Sequence, residues 1–269
     1  MSVHVDAWLS AALNKPAFSV EVSEKFSADS AEQVQLRDIL AEHAESFCFA
    51  KLPTDSLNAM RALNALGFYL VDTQLTLGLK ASRVVQNQQG AGKSGWYVRL
   101  SKPEDEAPVI AIARKCFRYS RFHLDPAIPR SAADALKARW LQSYFRSARG
   151  EALLVATDAK EHVVGFLGIV GSQVDGRRSC IIDLMGVEPD LQQQGIGSRL
   201  VEGFLERCCE RASVLQVGTQ AANIPSLCLY QNYGFRVIKS AYVLHRHGMA
   251  STAPVEICES AASTQRSAS

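Results

Sequence analysis

The sequence of 269 residues lacks several features that would place it in other classes of protein. Lysine and arginine number 29 against 27 aspartates and glutamates, so no excess of positive charge points to general nucleic-acid binding. No apolar run reaches the roughly 18 residues that span a bilayer. The first 16 residues lack the basic and apolar regions of a secretory signal. We therefore expect a cytoplasmic protein that binds neither nucleic acid nor membrane.

The cysteines also lack a pattern. There are seven, an odd number, and they are scattered without Cys-x-x-Cys or Cys/His spacing. A disulfide framework or a zinc site would need such spacing. We expect reduced thiols and no metal.

A complete phosphate-binding P-loop is missing as well. Residues 90–94 read GAGKS, but the first glycine of GxxxxGK[ST] is absent and a strand, not a helix, is expected to follow. Residues 85–95 are polar and rich in glycine, which is typical of a flexible linker.

The most informative stretch present is residues 183–198, DLMGVEPDLQQQGIGS. An apolar strand, a turn and a glycine-punctuated loop lead into a helix, which places backbone N–H groups at a helix N-terminus. Gln192, Gly195 and Gly197 follow the spacing Gln/Arg-x-x-Gly-x-Gly/Ala, and the two glycines let an anionic ligand approach the main chain. Taken alone, this pattern is equally consistent with a strand-to-helix turn that binds nothing.

A second pattern follows downstream. Asn223 and Pro225 are typical of a helix start, and Gly234 is typical of a helix end. Between them, Tyr230 lies on the same helical face as other apolar residues. The segment reads Asn-x-x-Ser-x-x-x-Tyr-x-x-x-Gly-Phe.

In this order, the two patterns resemble the cofactor-binding motifs of the GCN5-related N-acetyltransferases. The resemblance implies an α/β fold whose mixed, mostly antiparallel sheet has two splayed strands, is flanked by helices and is preceded by a small α/β unit. It also implies acetyl-coenzyme A as acetyl donor, lying between the splayed strands. The residues implied to bind it are Met185, Val187, Gln192, Gln193, Gln194, Gly195, Ile196, Gly197, Ser198, Asn223 and Ser226.

Two residues are candidates for proton transfer. In this family the tyrosine at the position of Tyr230 often protonates the departing thiolate, and a phenol can donate to a thiolate. The other interpretation of Tyr230 is an aromatic on a packed helix face. Asp183 is the candidate base, because a buried carboxylate with a raised pKa suits that role. The sequence is equally consistent with an Asp183 that only forms hydrogen bonds with nearby backbone groups or with a loop arginine.

The resemblance also implies that the acceptor site includes residues 120–125, because in this family the loop between the first two helices covers the acceptor. Arg121 is a candidate partner for a nucleotide diphosphate, Tyr119 or Phe122 for stacking on a base or sugar, and His123 for an alternative base. For each of these, a loop residue that satisfies local backbone groups is an equally good interpretation. Together with Arg118, the basic residues favour an anionic acceptor.

The pattern along the chain predicts four regions. A small α/β N-terminal domain covers residues 1–82, a linker 83–95, the acetyltransferase domain 96–248 and a disordered tail 249–269. The acetyltransferase domain is predicted to end in a hairpin.

Four segments are similar to enzymes that N-acetylate dTDP-linked 4-amino-4,6-dideoxygalactose, the TDP-fucosamine acetyltransferases. They are residues 66–72, 117–123, 215–220 and 240–246. The implied reaction is attack of a sugar amine on the thioester carbonyl, with a small-molecule amine acceptor, a nucleotide sugar, as partner. The sequence leaves the oligomeric state open, and only analogy suggests a homodimer. Two alternatives remain open: an acetyltransferase for another small amine or a protein amine, and a non-catalytic acyl-coenzyme A binding module.

Overall fold

The computed structural model describes residues 1–84, 95–174 and 176–248. Within these ranges ten strands form one sheet and eight helices cover its two faces. The strands are β1 Ser2–Val5, β2 Ala17–Glu21, β3 Phe47–Pro53, β4 Tyr69–Lys80, β5 Tyr97–Leu100, β6 Ala152–Thr157, β7 Val163–Val174, β8 Arg177–Val187, β9 Val214–Gln220 and β10 Arg236–His247. The helices are α1 Ala7–Leu13, α2 Ala31–Glu42, α3 Leu57–Ala65, α4 Glu106–Cys116, α5 Arg121–Leu124, α6 Arg130–Phe145, α7 Ile196–Cys208 and α8 Ile224–Asn232.

The sheet has the order β1-β2-β3-β10-β4-β9-β8-β7-β6-β5. Only the pairs β2/β3 and β8/β9 are parallel, and the other seven pairs are antiparallel. Each parallel pair is joined by a helix, as a parallel connection requires. The predicted fold class, a mixed and mostly antiparallel sheet flanked by helices, is confirmed.

The core lies on both faces of the sheet because its strands alternate apolar side chains between the two sides. Helices α7 and α8 pack on one face around Phe204, and α2 and α3 continue that layer around Leu36. Helices α4 and α6 cover the opposite face around Leu141, and α1 and α5 extend it around Phe122.

The N-terminal unit does not form a sheet of its own. Strand β4 lies between β9 and β10, and β10 lies between β3 and β4. The series β2-α2-β3-α3-β4 repeats the topology of β8-α7-β9-α8-β10, and each series places its last strand in the other's half of the sheet. The chain therefore joins two similar halves by strand exchange, and the predicted division at residue 82 does not separate two independent sheets.

Several local predictions need correction. The C-terminal segment is one long strand, β10, with irregularities near Val237 and Val243, not a hairpin. Strand β1, helix α1 and the short helix α5 were not predicted. Most of the linker and the whole predicted tail lie outside the described residues. No helix within the described ranges is both long and apolar enough to cross a membrane.

Candidate functional site

A cleft opens where β8 and β9 separate. The two strands pair from Ser179/Val214 to Ile182/Val217, and beyond this point β8 continues to Val187 without its neighbour. The resulting cleft has a volume of about 470 Å³. Strand ends that diverge leave backbone N–H and C=O groups free for a ligand, because the ladder no longer uses them.

The loop before α7 forms one wall of this cleft. Gly195 has φ +85° and ends the loop at the start of α7, while Gln193 also has positive φ, +64°. A Cβ at Gly195 would meet no atom within 4 Å, so this side of the loop is open. The free N–H groups of the first turn of α7 carry the positive end of the helix dipole, which suits an anion.

Most of the predicted donor-binding residues lie together in the cleft. Those that line it are Met185, Val187, Gln192, Gln193, Ile196, Gly197, Asn223 and Ser226. Gln194, Gly195 and Ser198 belong to the same loop and first helical turn but do not line the cleft. Their contact with a donor stays a prediction.

Helix α8 positions Tyr230. Asn223 caps this helix as the sequence predicted, since its side chain accepts a hydrogen bond from the Ser226 amide at 3.4 Å. Tyr230 is 4% exposed, lines the cleft and packs its ring edge-on against Phe235. Burial raises the pKa of Tyr230, so the phenol stays protonated over the physiological range.

Asp183 does not have the raised pKa that the sequence suggested. Arg149 Nε and Nη2 donate to its two oxygens at 2.7 and 2.6 Å, and Trp140 Nε1 and the Tyr144 hydroxyl also donate to it. Burial alone would raise the pKa of Asp183, but the hydrogen bonds and charge of Arg149 outweigh it and hold that pKa below its usual range. The alternative interpretation, pairing with a loop arginine, is what the structure has.

The predicted acceptor loop is only partly in the cleft. Tyr119 lines it, whereas Arg121, Phe122 and His123 do not. Phe122 is 1% exposed and belongs to the core, so the structure does not support the interpretation that it stacks on a ligand. The guanidinium carbon of Arg121 lies 4.0 Å from the centre of the Phe49 ring, away from the cleft lining.

His123 is held by two side chains. Its ring nitrogens lie 2.6 Å from Ser120 Oγ and 2.9 Å from Asp134 Oδ1. Burial lowers the pKa of His123, although the hydrogen bond to Asp134 opposes this shift. With both nitrogens occupied and the ring outside the cleft, the structure does not support His123 as a base.

A buried cluster around Asp125 anchors this loop to β4 and β10. Asp125 accepts hydrogen bonds from Tyr69, His245, His247 and the Ala127 amide. Burial opposes ionisation, but the bonds from the two histidines and the tyrosine hold the pKa of Asp125 well below its usual range. The ligand atoms of Asp125, His245 and His247 lie within 4.8 Å of one another, close enough to hold a metal ion, so the expected absence of a metal stays a prediction.

Sequence reasoning missed Lys137, which lines the cleft from α6. It is only 7% exposed. The helical spacing of the apolar stripe, with Leu136, Trp140 and Leu141, places Lys137 on the buried side of α6. A lysine on such a face is rare unless it is paired or has a function, and this was the signal available in the sequence.

Comparison with known proteins agrees with this geometry. Residues 149–237 match the family model for the acetyltransferase (GNAT) domain. The chain is 27% identical over 203 residues to the spore coat polysaccharide biosynthesis protein SpsD of Bacillus subtilis, covering 74% of this chain and 66% of that protein. It is 24% identical over 198 residues to the dTDP-fucosamine acetyltransferase of Escherichia coli O6:H1, covering 73% and 80% of the two chains.

Among solved structures, a tandem GNAT protein from the clavulanic acid biosynthesis pathway has a similar fold. Its TM-score is 0.60 at 12% identity, with 87% of this chain and 76% of that chain covered. The loop of residues 192–198 has only uncharged side chains and open space at Gly195, features that suit the binding of a diphosphate at a helix N-terminus. Residues 149–237 therefore match a GNAT acetyltransferase domain, and domains of this family use acetyl-coenzyme A as the acetyl donor.

Proposed function

We propose that this N-acetyltransferase acts on the amino group of a nucleotide-linked amino sugar of the dTDP-4-amino-4,6-dideoxyhexose type. The names of the two relatives support this substrate class, since one is a dTDP-fucosamine acetyltransferase and the other is a polysaccharide biosynthesis protein.

The charge of the cleft carries the proposal. Asp183 is the only carboxylate among the described lining residues, and Arg149 neutralises it through two hydrogen bonds. Arg118 and Lys137 line the same side and form no ion pair with a described residue within 4.0 Å. A polyamine would need free carboxylates, whereas this side attracts an anionic acceptor.

The donor occupies the other side of the cleft in this proposal. Backbone groups of Met185 and Val187 pair with the pantetheine arm, and the amides of residues 193–198 hold the diphosphate. Gln192, Asn223 and Ser226 add side-chain contacts. Tyr119 lies beside the acceptor.

The reaction is a direct aminolysis. The amine lone pair forms a bond to the thioester carbonyl carbon, the carbon–sulfur bond breaks, and the thiolate takes a proton from Tyr230. The nitrogen loses a proton as the amide forms, and this proton restores Tyr230 through solvent. A phenol kept neutral by burial is available as this acid throughout the physiological range.

A thiol-release assay tests the proposal. The purified chain and acetyl-coenzyme A are mixed with dTDP- and UDP-linked amino sugars, spermidine and a lysine peptide. We expect turnover on an amino sugar nucleotide, and Arg118→Gln should raise the KM for that acceptor without changing the KM for acetyl-coenzyme A. Turnover confined to spermidine or the peptide would contradict the proposal.

A further inference from the structure

Lys137 is nearly buried and has no counter-ion among the described residues. No carboxylate oxygen of a described residue lies within 4.0 Å of its ammonium nitrogen, and it forms no hydrogen bond with a described residue. Instead, Nζ lies 5.0 Å from the centre of the Phe117 ring and 4.7 Å from that of Trp140. These rings contact the side chain but provide no oxygen or nitrogen acceptor, so its three protons have no hydrogen-bond acceptor among the described residues.

Lys137 lines the cleft near the place where the two strands separate. Lys137 lines the cleft together with Asp183, Met185 and Gly186. The Trp140 ring that contacts Lys137 also donates to Asp183 Oδ2 at 3.0 Å, so Lys137 lies beside the unpaired part of β8. An acceptor amine must enter this part of the cleft to reach a thioester held between the strands.

Three of the other ionisable residues that line the cleft are poor bases. The ionisable residues that line the cleft are Cys116, Arg118, Tyr119, Lys137, Asp183 and Tyr230. All the donors around Asp183 hold it as an anion with a lowered pKa, which makes it a weak base. Burial raises the pKa of the Cys116 thiol to about 12, and an arginine does not deprotonate in proteins.

On the basis of the proposed acetyl transfer, we propose that Lys137, in its neutral form, is the base that removes a proton from the acceptor ammonium. The ammonium gives one proton to Nζ, and the freed lone pair forms the carbon–nitrogen bond as the carbon–sulfur bond breaks. The thiolate takes a proton from Tyr230. The second proton lost by the nitrogen restores the tyrosine through solvent, and Lys137 releases its own proton to water.

The surroundings of Lys137 favour a neutral fraction. Burial lowers its pKa to about 8, and the cations of Arg121 on α5 and Arg149 after α6 add to this shift. Asp183 on β8 and Cys116 on α4 oppose it. Near pH 8, about half of the molecules then carry a neutral Lys137, compared with well under 1% for a lysine of ordinary pKa, about 10.4.

Two substitutions distinguish a role of Lys137 as a base from a role as a cation that only binds the acceptor. Lys137→Met removes both properties, whereas Lys137→Arg keeps the charge and cannot accept a proton. Lys160→Met, at an exposed turn, is the control.

On the amino sugar nucleotide, we expect kcat of the parent to rise with pH around a midpoint near 8. Both Lys137 variants should lose roughly 100-fold or more in kcat and lose this rise, with an unchanged thermal shift on adding acetyl-coenzyme A. A Lys137→Arg variant within tenfold of the parent would overturn the proposal.

A second readout needs no acceptor. Lysines labelled with ¹³C are titrated by NMR in the complex with coenzyme A, and the signal missing from Lys137→Arg is assigned to Lys137. A midpoint near pH 8 supports the proposal, and a midpoint above about pH 10 overturns it. An enzyme that accepts no amino sugar nucleotide but shows the midpoint near 8 contradicts the proposed substrate and leaves the base assignment supported.

Discussion

His245 Nδ1 donates a hydrogen bond to Asp125 Oδ2 at 2.6 Å, although 120 residues separate them along the chain. Both side chains are fully buried. The bond joins the loop after α5 to β10, so the arrangement of the acceptor loop depends on a strand at the far end of the sequence.

Asp125→Asn should destabilise the fold by about 2–4 kcal/mol, because an amide cannot accept all the bonds that reach the carboxylate. Urea unfolding measures the effect, with the exposed Asp38→Asn as control. The folded pKa of Asp125 lies below its unfolded value of about 3.9. Its stabilisation is therefore complete well above pH 4 and is lost as the pH falls towards the folded pKa. The difference between parent and variant should shrink below roughly pH 4, and a constant difference from pH 7 to pH 3 would contradict this account.

Asp183→Asn should act mainly on stability. Removing the charge leaves Arg149 without its partner, so we expect a loss of about 2–4 kcal/mol, largely shared with Arg149→Gln in a double-mutant cycle. Well below the unfolding temperature, kcat should stay within about tenfold of the parent. A variant with normal stability and no turnover would instead make Asp183 the base.

Tyr230→Phe should lower kcat by roughly 100-fold or more, since only the hydroxyl that protonates the thiolate is lost. The affinity for acetyl-coenzyme A, measured by calorimetry, should not change. Tyr233→Phe is the matched control on the same helix end, because its hydroxyl donates to Ser198 and Glu202 and does not line the cleft. Equal turnover of Tyr230→Phe and parent would exclude the proposed acid.

Gly195→Ala should cost about 1–2 kcal/mol of stability, because φ is +85° and a side chain with Cβ is strained there. The substitution should also weaken the binding of acetyl-coenzyme A, since the loop holds the diphosphate in the proposed complex. Gly176→Ala, at φ +71° and also in open space, carries the same strain on another turn. The two variants should unfold at similar urea concentrations, and only Gly195→Ala should show a reduced thermal shift with the donor. Equal thermal shifts for the two variants would show that the loop does not take part in donor binding.

Sequence patterns predicted much of the local structure. The predicted helix start at Asn223 caps α8, and the predicted helix end at Gly234 follows this helix with φ +86°. These features depend on alternation, capping and turn residues within a few positions of one another, so a short segment carries the whole signal. The assignment to the acetyltransferases rests on two motifs of the same local kind.

The roles of single side chains in the acceptor region were predicted poorly. Phe122 and His123 were expected in a loop with a suitable composition, but both lie in α5, where the first is buried and both ring nitrogens of the second have partners. Lys137 was overlooked because its neighbours in sequence look like an ordinary helix stripe. Burial and hydrogen-bond partners depend on elements far away in the chain, and these set the pKa of each group.

The sequence by itself therefore determined the class of fold, the strand-to-helix loop and the position of Tyr230, because each depends on residues that lie close together in the sequence. Only the tertiary structure decided that β4 and β10 exchange places between two similar halves. It also decided that Arg149 pairs with Asp183 and lowers its pKa, which makes Asp183 a weak base. Both outcomes follow from contacts between residues more than 30 positions apart, such as Arg149–Asp183 and Leu77–Val217. Residue spacing carries no record of such contacts.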